Sequence, residues 1–220
     1  MNEISISEEL KRLVPKIQLS CIECDVVPEL LHEKLWEEIQ QKIEQISNTI
    51  KIEKISQVPA ILASRKAYKA CGKDPARYRL SAEALLRRIV NRNELYQINN
   101  VVDLLNLVSI STGFSIGGYD VDKINGDIEF GIGKKEEPYF GIGRGELNIE
   151  FLPVFRDKVG AFGTPTSDSE RTSVTIETKR FLMIIIDFSS SNELEKATGI
   201  AKHLLEKFAQ AKNIEIRAIS

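Results

Sequence analysis

The chain has 220 residues, 42% hydrophobic and 28% charged, with a formal net charge of −2. These are ordinary values for a globular domain long enough to bury a sizeable core. They exclude a protein that coats nucleic acid indiscriminately, and the lack of any eighteen-residue apolar run excludes an expected membrane span.

The first residues, MNEISISEEL, lack the basic region and apolar core of a signal peptide. Residues 16–26 alternate Ile17, Leu19, Cys21 and Val26 with polar residues, which predicts a strand. Pro28 is then expected to open a helix, with Leu31, Leu35, Ile39, Ile43 and Ile46 spaced by three and four and Trp36 widening the stripe. Further helices are predicted over 58–70, over 82–91 with Ser81 as cap, and from Asn99 or Asn100 to a stop near Gly113. Beyond Gly113, glycines punctuate short apolar runs that read as strands and tight turns. Residues 177–187 predict a long strand, 192–211 an amphipathic helix and 213–219 a final strand. The expected class is α+β, with mixed, mostly antiparallel sheet layers flanked by helices. One domain is expected over 1–220, with residues 1–60 as an N-terminal strand-and-helix extension packed on it.

Between Arg65 and Arg92 stand nine basic residues against the acids Asp74 and Glu83. Such a stretch on an acidic body makes either a phosphate-binding face or a solvated helical face. The three cysteines, Cys21, Cys24 and Cys71, cannot all pair with one another, so reduced thiols and cytoplasmic residence are expected. Cys21-x-x-Cys24 has half a zinc site's spacing, but alternation along a strand sends the two thiols to opposite faces, and no metal is expected. The G-I-G pairs at 131–133 and 141–143 lack a P-loop's ending, and a hairpin around Lys134–Pro138 accounts for them, with Tyr139 and Phe140 as strand residues. His32 and His203 both fall in amphipathic helices, away from turns where a catalytic base is easily placed. The polar loop Thr164–Arg171 can cradle an anion or form an ordinary turn. Arg171 is expected to pair with Asp168 and shape that loop. Asp120 and Asp157 read as turn residues.

Residues 97–126 carry the most specific pattern. Ile98-Asn99-Asn100-Val101-Val102-Asp103, then Asn106, then Ser115-Ile116-Gly117-Gly118-Tyr119-Asp120 resemble the tRNA-editing module (third and fourth domains) of the phenylalanyl-tRNA synthetase beta subunit. That family shows a run close to P-I-N-N-V-V-D-x-T-N-Y followed by P-x-H-A-F-D. The likeness covers roughly residues 79–188. In a chain much shorter than a synthetase subunit, it implies a freestanding version of the module.

The resemblance implies a pocket that receives the mischarged 3′ end of a tRNA. The family asparagine corresponds to Asn106, the neighbouring threonine to Leu105, the histidine to Gly117, and the acid that reads a tyrosine hydroxyl falls near Ile184. An apolar residue there would leave a substrate hydroxyl unpaired, at a cost of about 1–3 kcal/mol. The expected reaction is therefore hydrolysis of some other aminoacyl ester, without metal or organic cofactor. Asn106 would orient the substrate and the amides at Gly117 and Gly118 would stabilise an oxyanion. Asp103, Tyr119, Thr166, Ser167, Asp168, Arg171 and Ile184 would line the pocket, while Arg77, Arg79, Arg87 and Arg88 would hold acceptor-end phosphates. The expected partner is aminoacylated tRNA, not DNA or a membrane. A non-catalytic RNA-binding module and a small-molecule hydrolase or sensor are the alternatives on the same scaffold.

Overall fold

Residues 18–25 form the strand around which the molecule is organised. The computed structural model describes residues 2–220. In chain order the elements are β1 (Ile4–Ile6), α1 (Glu8–Leu13), β2 (Gln18–Asp25), α2 (Glu33–Thr49), α3 (Pro59–Ala70), α4 (Ser81–Val90), α5 (Asn100–Thr112) and β3 (Ser115–Asp120). They continue with β4 (Ile128–Ile132), β5 (Phe140–Gly141), β6 (Gly145–Glu146), β7 (Pro153–Arg156), β8 (Ala161–Gly163), β9 (Arg180–Asp187), α6 (Glu193–Phe208) and β10 (Lys212–Ile219). This is an α+β architecture. The larger sheet runs β10-β2-β9-β3, all antiparallel. The second runs β1-β4-β7-β8, with β1 parallel to β4 and the rest antiparallel.

Period-two alternation sorts the large sheet's side chains into two cores. Ile22, Cys24, Phe181, Met183, Ile185 and Ile116 face the helices and join Leu35, Trp36, Leu104 and Leu205. Leu19, Cys21, Leu182, Ile184 and Tyr119 face the second sheet and join Phe130, Phe155 and Phe162. Cys21 and Cys24 therefore lie in different cores, as the strand alternation predicts. All three cysteines are free and buried. Burial pushes the thiols of Cys21 and Cys24 up to about 12 and that of Cys71 to about 11, so none is a ready thiolate.

The helices start and stop for local reasons. Pro59 takes the first position of α3, where a missing N–H costs nothing. Asn99 caps α5 by accepting from the Val102 amide at 3.0 Å, and Gly113 ends it at φ +80°. Three boundaries differ from expectation. Pro28 does not open α2; residues 26–32 are irregular with a bend at Leu30, and Leu31 is exposed. Ser81 is the first residue of α4 instead of its cap, with its amide given to the Pro165 carbonyl at 2.8 Å. The hairpin falls at β5–β6, because β4 pairs with β7 and leaves Lys134–Pro138 as the loop that leads into it; Tyr139 precedes β5. β1 and α1 carried no sequence signal that was read.

Among the described residues no helix is long and apolar enough to cross a membrane, and no group of three or more His, Cys, Asp and Glu could hold a metal ion.

Candidate functional site

The polar residues Asn100 and Asp103 at the start of α5 turn inward to structural partners. Buried polar groups must be hydrogen-bonded, and here each oxygen of Asp103 has its donor. Trp36 Nε1 donates to Oδ2 at 2.7 Å and the Ile98 amide to Oδ1 at 3.0 Å. Burial raises the carboxyl pKa above its usual value while these two bonds oppose the shift. Asn100 accepts from the Glu29 amide at 2.8 Å and donates to the carbonyls of Val27 (3.1 Å) and Phe208 (2.7 Å). Asp103 is thus a pin between α5 and α2, not a substrate ligand. Asn106 is half-buried and has no hydrogen-bond partner among the described residues. It is Leu105 that meets β3, its Cδ1 2.6 Å from where a side chain on Gly118 would begin.

β3 brings Gly117, Gly118 and Tyr119 to the edge of the large sheet. Gly117 and Tyr119 face the inter-sheet core, and Gly118 faces α5. The Tyr119 phenol folds back between Gly117 and Gly163, and a Cβ on either glycine would overlap its hydroxyl. Space that a side chain at position 117 would occupy is therefore filled by Tyr119. Ile184 stands opposite Gly117 in the ladder and is wholly buried in the same core, out of reach of any ligand.

The loop after β8 closes over this edge. Thr164 Oγ1 accepts from the amides of Thr166 (3.1 Å) and Ser167 (3.0 Å) and donates to the Ser167 carbonyl (2.9 Å). Tyr139 Oη donates to the same carbonyl at 2.6 Å, and Tyr68 Oη lies 2.9 Å from Thr166 Oγ1. Asp168 then receives the Tyr119 hydroxyl at 2.8 Å and the Gly118 amide at 3.4 Å. Burial raises the Asp168 carboxyl to about 7, against the lowering effect of those two bonds. Burial and the nearby Asp168 charge also raise the phenols of Tyr119 and Tyr139 far above their usual range.

Gly117, Gly118, Tyr119, Thr166, Ser167 and Asp168 therefore meet, with Thr164 of the same loop, and Tyr68 and Tyr139 join them without having been anticipated. The amide pair expected to form an oxyanion hole does not exist in this arrangement. Amides alternate along an antiparallel edge strand. Gly118 points its N–H off the ladder to Asp168, so that of Gly117 belongs to the ladder with β9. Arg171 does not pair with Asp168. It binds Asp157 through two nitrogens at 2.9 and 3.0 Å, because Asp157 is held out toward it by the Asn125, Val159 and Gly160 amides. The Asp157 carboxyl is lowered by Arg171 and those amides, which outweigh its burial. Arg171 instead borders a cavity of about 400 Å³ with Tyr139, Ser169 and Gly160.

The basic stretch divides. Buried Glu83 binds Arg65 at 2.8 Å and Arg87 at 2.9 Å. Lys73 is buried on the carbonyls of Asn148 and Glu150, and Arg88 Nε donates to the Glu94 carbonyl. Arg87 and Arg88 are therefore committed to partners. Lys66, Lys69, Arg77, Arg79 and Arg92 are exposed and make no ion pair among the described residues. His32 packs edge-on to Phe208 with ring centroids 5.1 Å apart, and His203 is exposed on α6.

Asp168 yields a prediction with a definite sign. The folded protein keeps this proton up to about pH 7, whereas an unfolded chain releases it near 4. The contribution to stability is whole below about pH 4 and is lost as pH rises through 7. Asp168→Asn retains an acceptor for Tyr119 and should gain stability relative to the parent across that window, on the order of 1–3 kcal/mol. Denaturant melts of both proteins at pH 5 and pH 8 measure the difference; equal gaps at the two pH values would contradict it.

These features define a two-sheet α+β module with helices on one face of the larger sheet and a loop-sealed edge at β3. A family model described as the B3/4 domain matches residues 63–215, and the chain belongs to that family. An N-terminal fragment of the phenylalanyl-tRNA synthetase beta subunit from Pyrococcus horikoshii is similar in structure, with a TM-score of 0.49 and 18% sequence identity over 99% of this chain. The chain spans 50% of that fragment. No curated protein matches it.

Proposed function

We propose that this B3/4 domain binds RNA, with the acceptor end of a tRNA as its ligand, and that it does so without needing turnover. The observation that carries the reading is the pair Arg77 and Arg79, on the connection between α3 and α4. Both are exposed and neither has a carboxylate partner among the described residues. Arginines left free on an otherwise acidic chain are suited to phosphate oxygens. Membership of the B3/4 family and the sequence likeness of residues 97–126 to a tRNA-editing module favour RNA over another polyanion.

The test is a salt series of tRNA binding followed by fluorescence anisotropy. The parent should bind more weakly as salt rises, and Arg77→Ala/Arg79→Ala should weaken binding and reduce the logarithmic salt slope by about 1–2. No binding at low salt, or an unchanged slope, would overturn the proposal.

A second reading, hydrolysis of an aminoacyl ester, has one supporting feature. Asp168 is a partly exposed carboxyl raised to about 7, the range suited to a general base. In that case deacylation of mischarged tRNA rises with pH through 7 and Asp168→Asn abolishes it. A rate equal to the uncatalysed one across a panel of mischarged tRNAs rejects this second reading and leaves the binding proposal intact.

A further inference from the structure

A cavity of about 850 Å³ opens between α2, α4 and the segment that follows α4. Its volume is in the range of small-molecule sites, about 300–1,000 Å³. Trp36 and Ile89 form part of an apolar floor, and because Trp36 Nε1 is committed to Asp103, the indole offers this cavity only carbon surface. On the rim stands Tyr96, 67% exposed, with the Arg88 guanidinium 4.1 Å from its ring centroid. The bond from Arg88 to the Glu94 carbonyl holds the guanidinium against the ring. Arg92 follows at the end of α4 with φ 57°, exposed and without an ion pair among the described residues. The spacing Arg88, Arg92, Tyr96 sets two cations and an aromatic on one wall. Gln40 and Glu44 of α2 face them across the opening.

We infer that this cleft takes one unstacked nucleotide of single-stranded RNA, with an amino-bearing base. The base stacks on the Tyr96 ring, a sequence-tolerant contact between π-faces. Glu44 and Gln40 accept from the exocyclic amine, and Glu94 beside Arg92 is the cleft's second carboxylate, so the phosphate is met by Arg92 alone. A duplex offers no free base face, so it does not enter. This deepens the RNA-binding reading above and rests on it. α2 lies outside residues 63–215, so one wall of the cleft comes from a segment that the family model does not describe.

Trp36 is the only tryptophan in the chain and lines the cleft, so its fluorescence reports occupancy directly. The experiment titrates the full chain with a labelled single-stranded RNA pentamer rich in C and A, and with a longer blunt-ended RNA duplex that stays fully paired at the working concentration. Trp36 emission and the anisotropy of the label are followed together. The pentamer should change Trp36 emission saturably and the duplex should not. Tyr96→Ala should weaken pentamer binding roughly tenfold and Tyr96→Phe should preserve it. Because Tyr96 is exposed, these substitutions leave the core untouched. Arg77→Ala/Arg79→Ala should lower affinity without altering the emission change at saturation. Pentamer binding with no response from Trp36, or binding indifferent to Tyr96→Ala, overturns the cleft while leaving RNA binding standing. Absence of any RNA binding overturns both.

Discussion

A variant spanning only residues 63–215, the stretch that the B3/4 model matches, is expected not to fold. It lacks β2, which is bonded along its whole length to β9 on one side and to β10 on the other. The cut leaves only Lys212–Glu215 of β10, with no β2 to pair with, and leaves β9 with one neighbour. The same cut removes Leu35, Trp36, Ile39 and Ile46 of α2 from the helix-side core, and Leu10, Leu19 and Cys21 from the inter-sheet core. Each fully buried apolar side chain is worth about 1.5–3 kcal/mol, and domains of this size have a net stability of only about 5–15 kcal/mol. Asp103 would also lose its Trp36 donor inside the protein. Far-ultraviolet circular dichroism and a denaturant titration give the answer. A cooperative unfolding transition in the truncated chain would show that the first sixty residues are an accessory, which the strand pairing argues against.

Gly117→Ala is expected to destabilise the protein by about 1–3 kcal/mol, the usual penalty of overpacking. For a chain of this length that lowers the melting temperature by about 3–10 °C. The new Cβ would overlap the Tyr119 hydroxyl and lie 2.5 Å from Cζ. The ring cannot swing away, because Gly163 closes the other side and Phe162 packs edge-on at 4.9 Å between centroids. Any shift also breaks the bond to Asp168. Tyr119→Leu vacates the space, so Gly117→Ala combined with Tyr119→Leu should cost less than the two single changes added together. Additive costs in thermal melts would mean that Tyr119 does not occupy the place described.

Parts of this molecule were legible from short-range pattern alone. The stripe Leu35, Ile39 and Ile46 identified α2, Gly113 marked a helix end, and the apolar run 181–186 identified β9. Period and punctuation are local properties, and a linear sequence carries them openly. β1 was missed because three residues, Ile4–Ile6, are too few to establish alternation. The hairpin was set one loop too early because nothing local says that β4 takes β7, some twenty residues later, as its partner.

The site was harder for the same reason. The structure brings Gly117–Tyr119 and Thr166–Asp168 together and leaves Asn106 and Arg171 apart from them, and what the cluster can do depends on pairs distant in sequence. Asp103 is spent on Trp36, 67 residues away, and Tyr119 on Asp168, 49 residues away. Arg171 chose Asp157 over Asp168 because three amides had already aimed that carboxylate. Charge counting could not divide the basic stretch either, since a single buried Glu83 holds two arginines from different helices, one on each carboxylate oxygen. The spacing of Arg88, Arg92 and Tyr96, four residues apart each time, carries no helical signal because Arg92 and Tyr96 lie beyond the end of α4.

The two rims of the large sheet have consequences for how this protein behaves when crowded. At β3 the outward amide of Gly118 is already taken by Asp168. At β10 the register slips between Lys212 and Glu215, and Lys212, Glu215 and Arg217 stud the open side. A kinked, charge-bearing border is a poor template for an incoming strand. Both borders of the large sheet are therefore poor sites for strand addition, a safeguard built from the same residues that finish its fold.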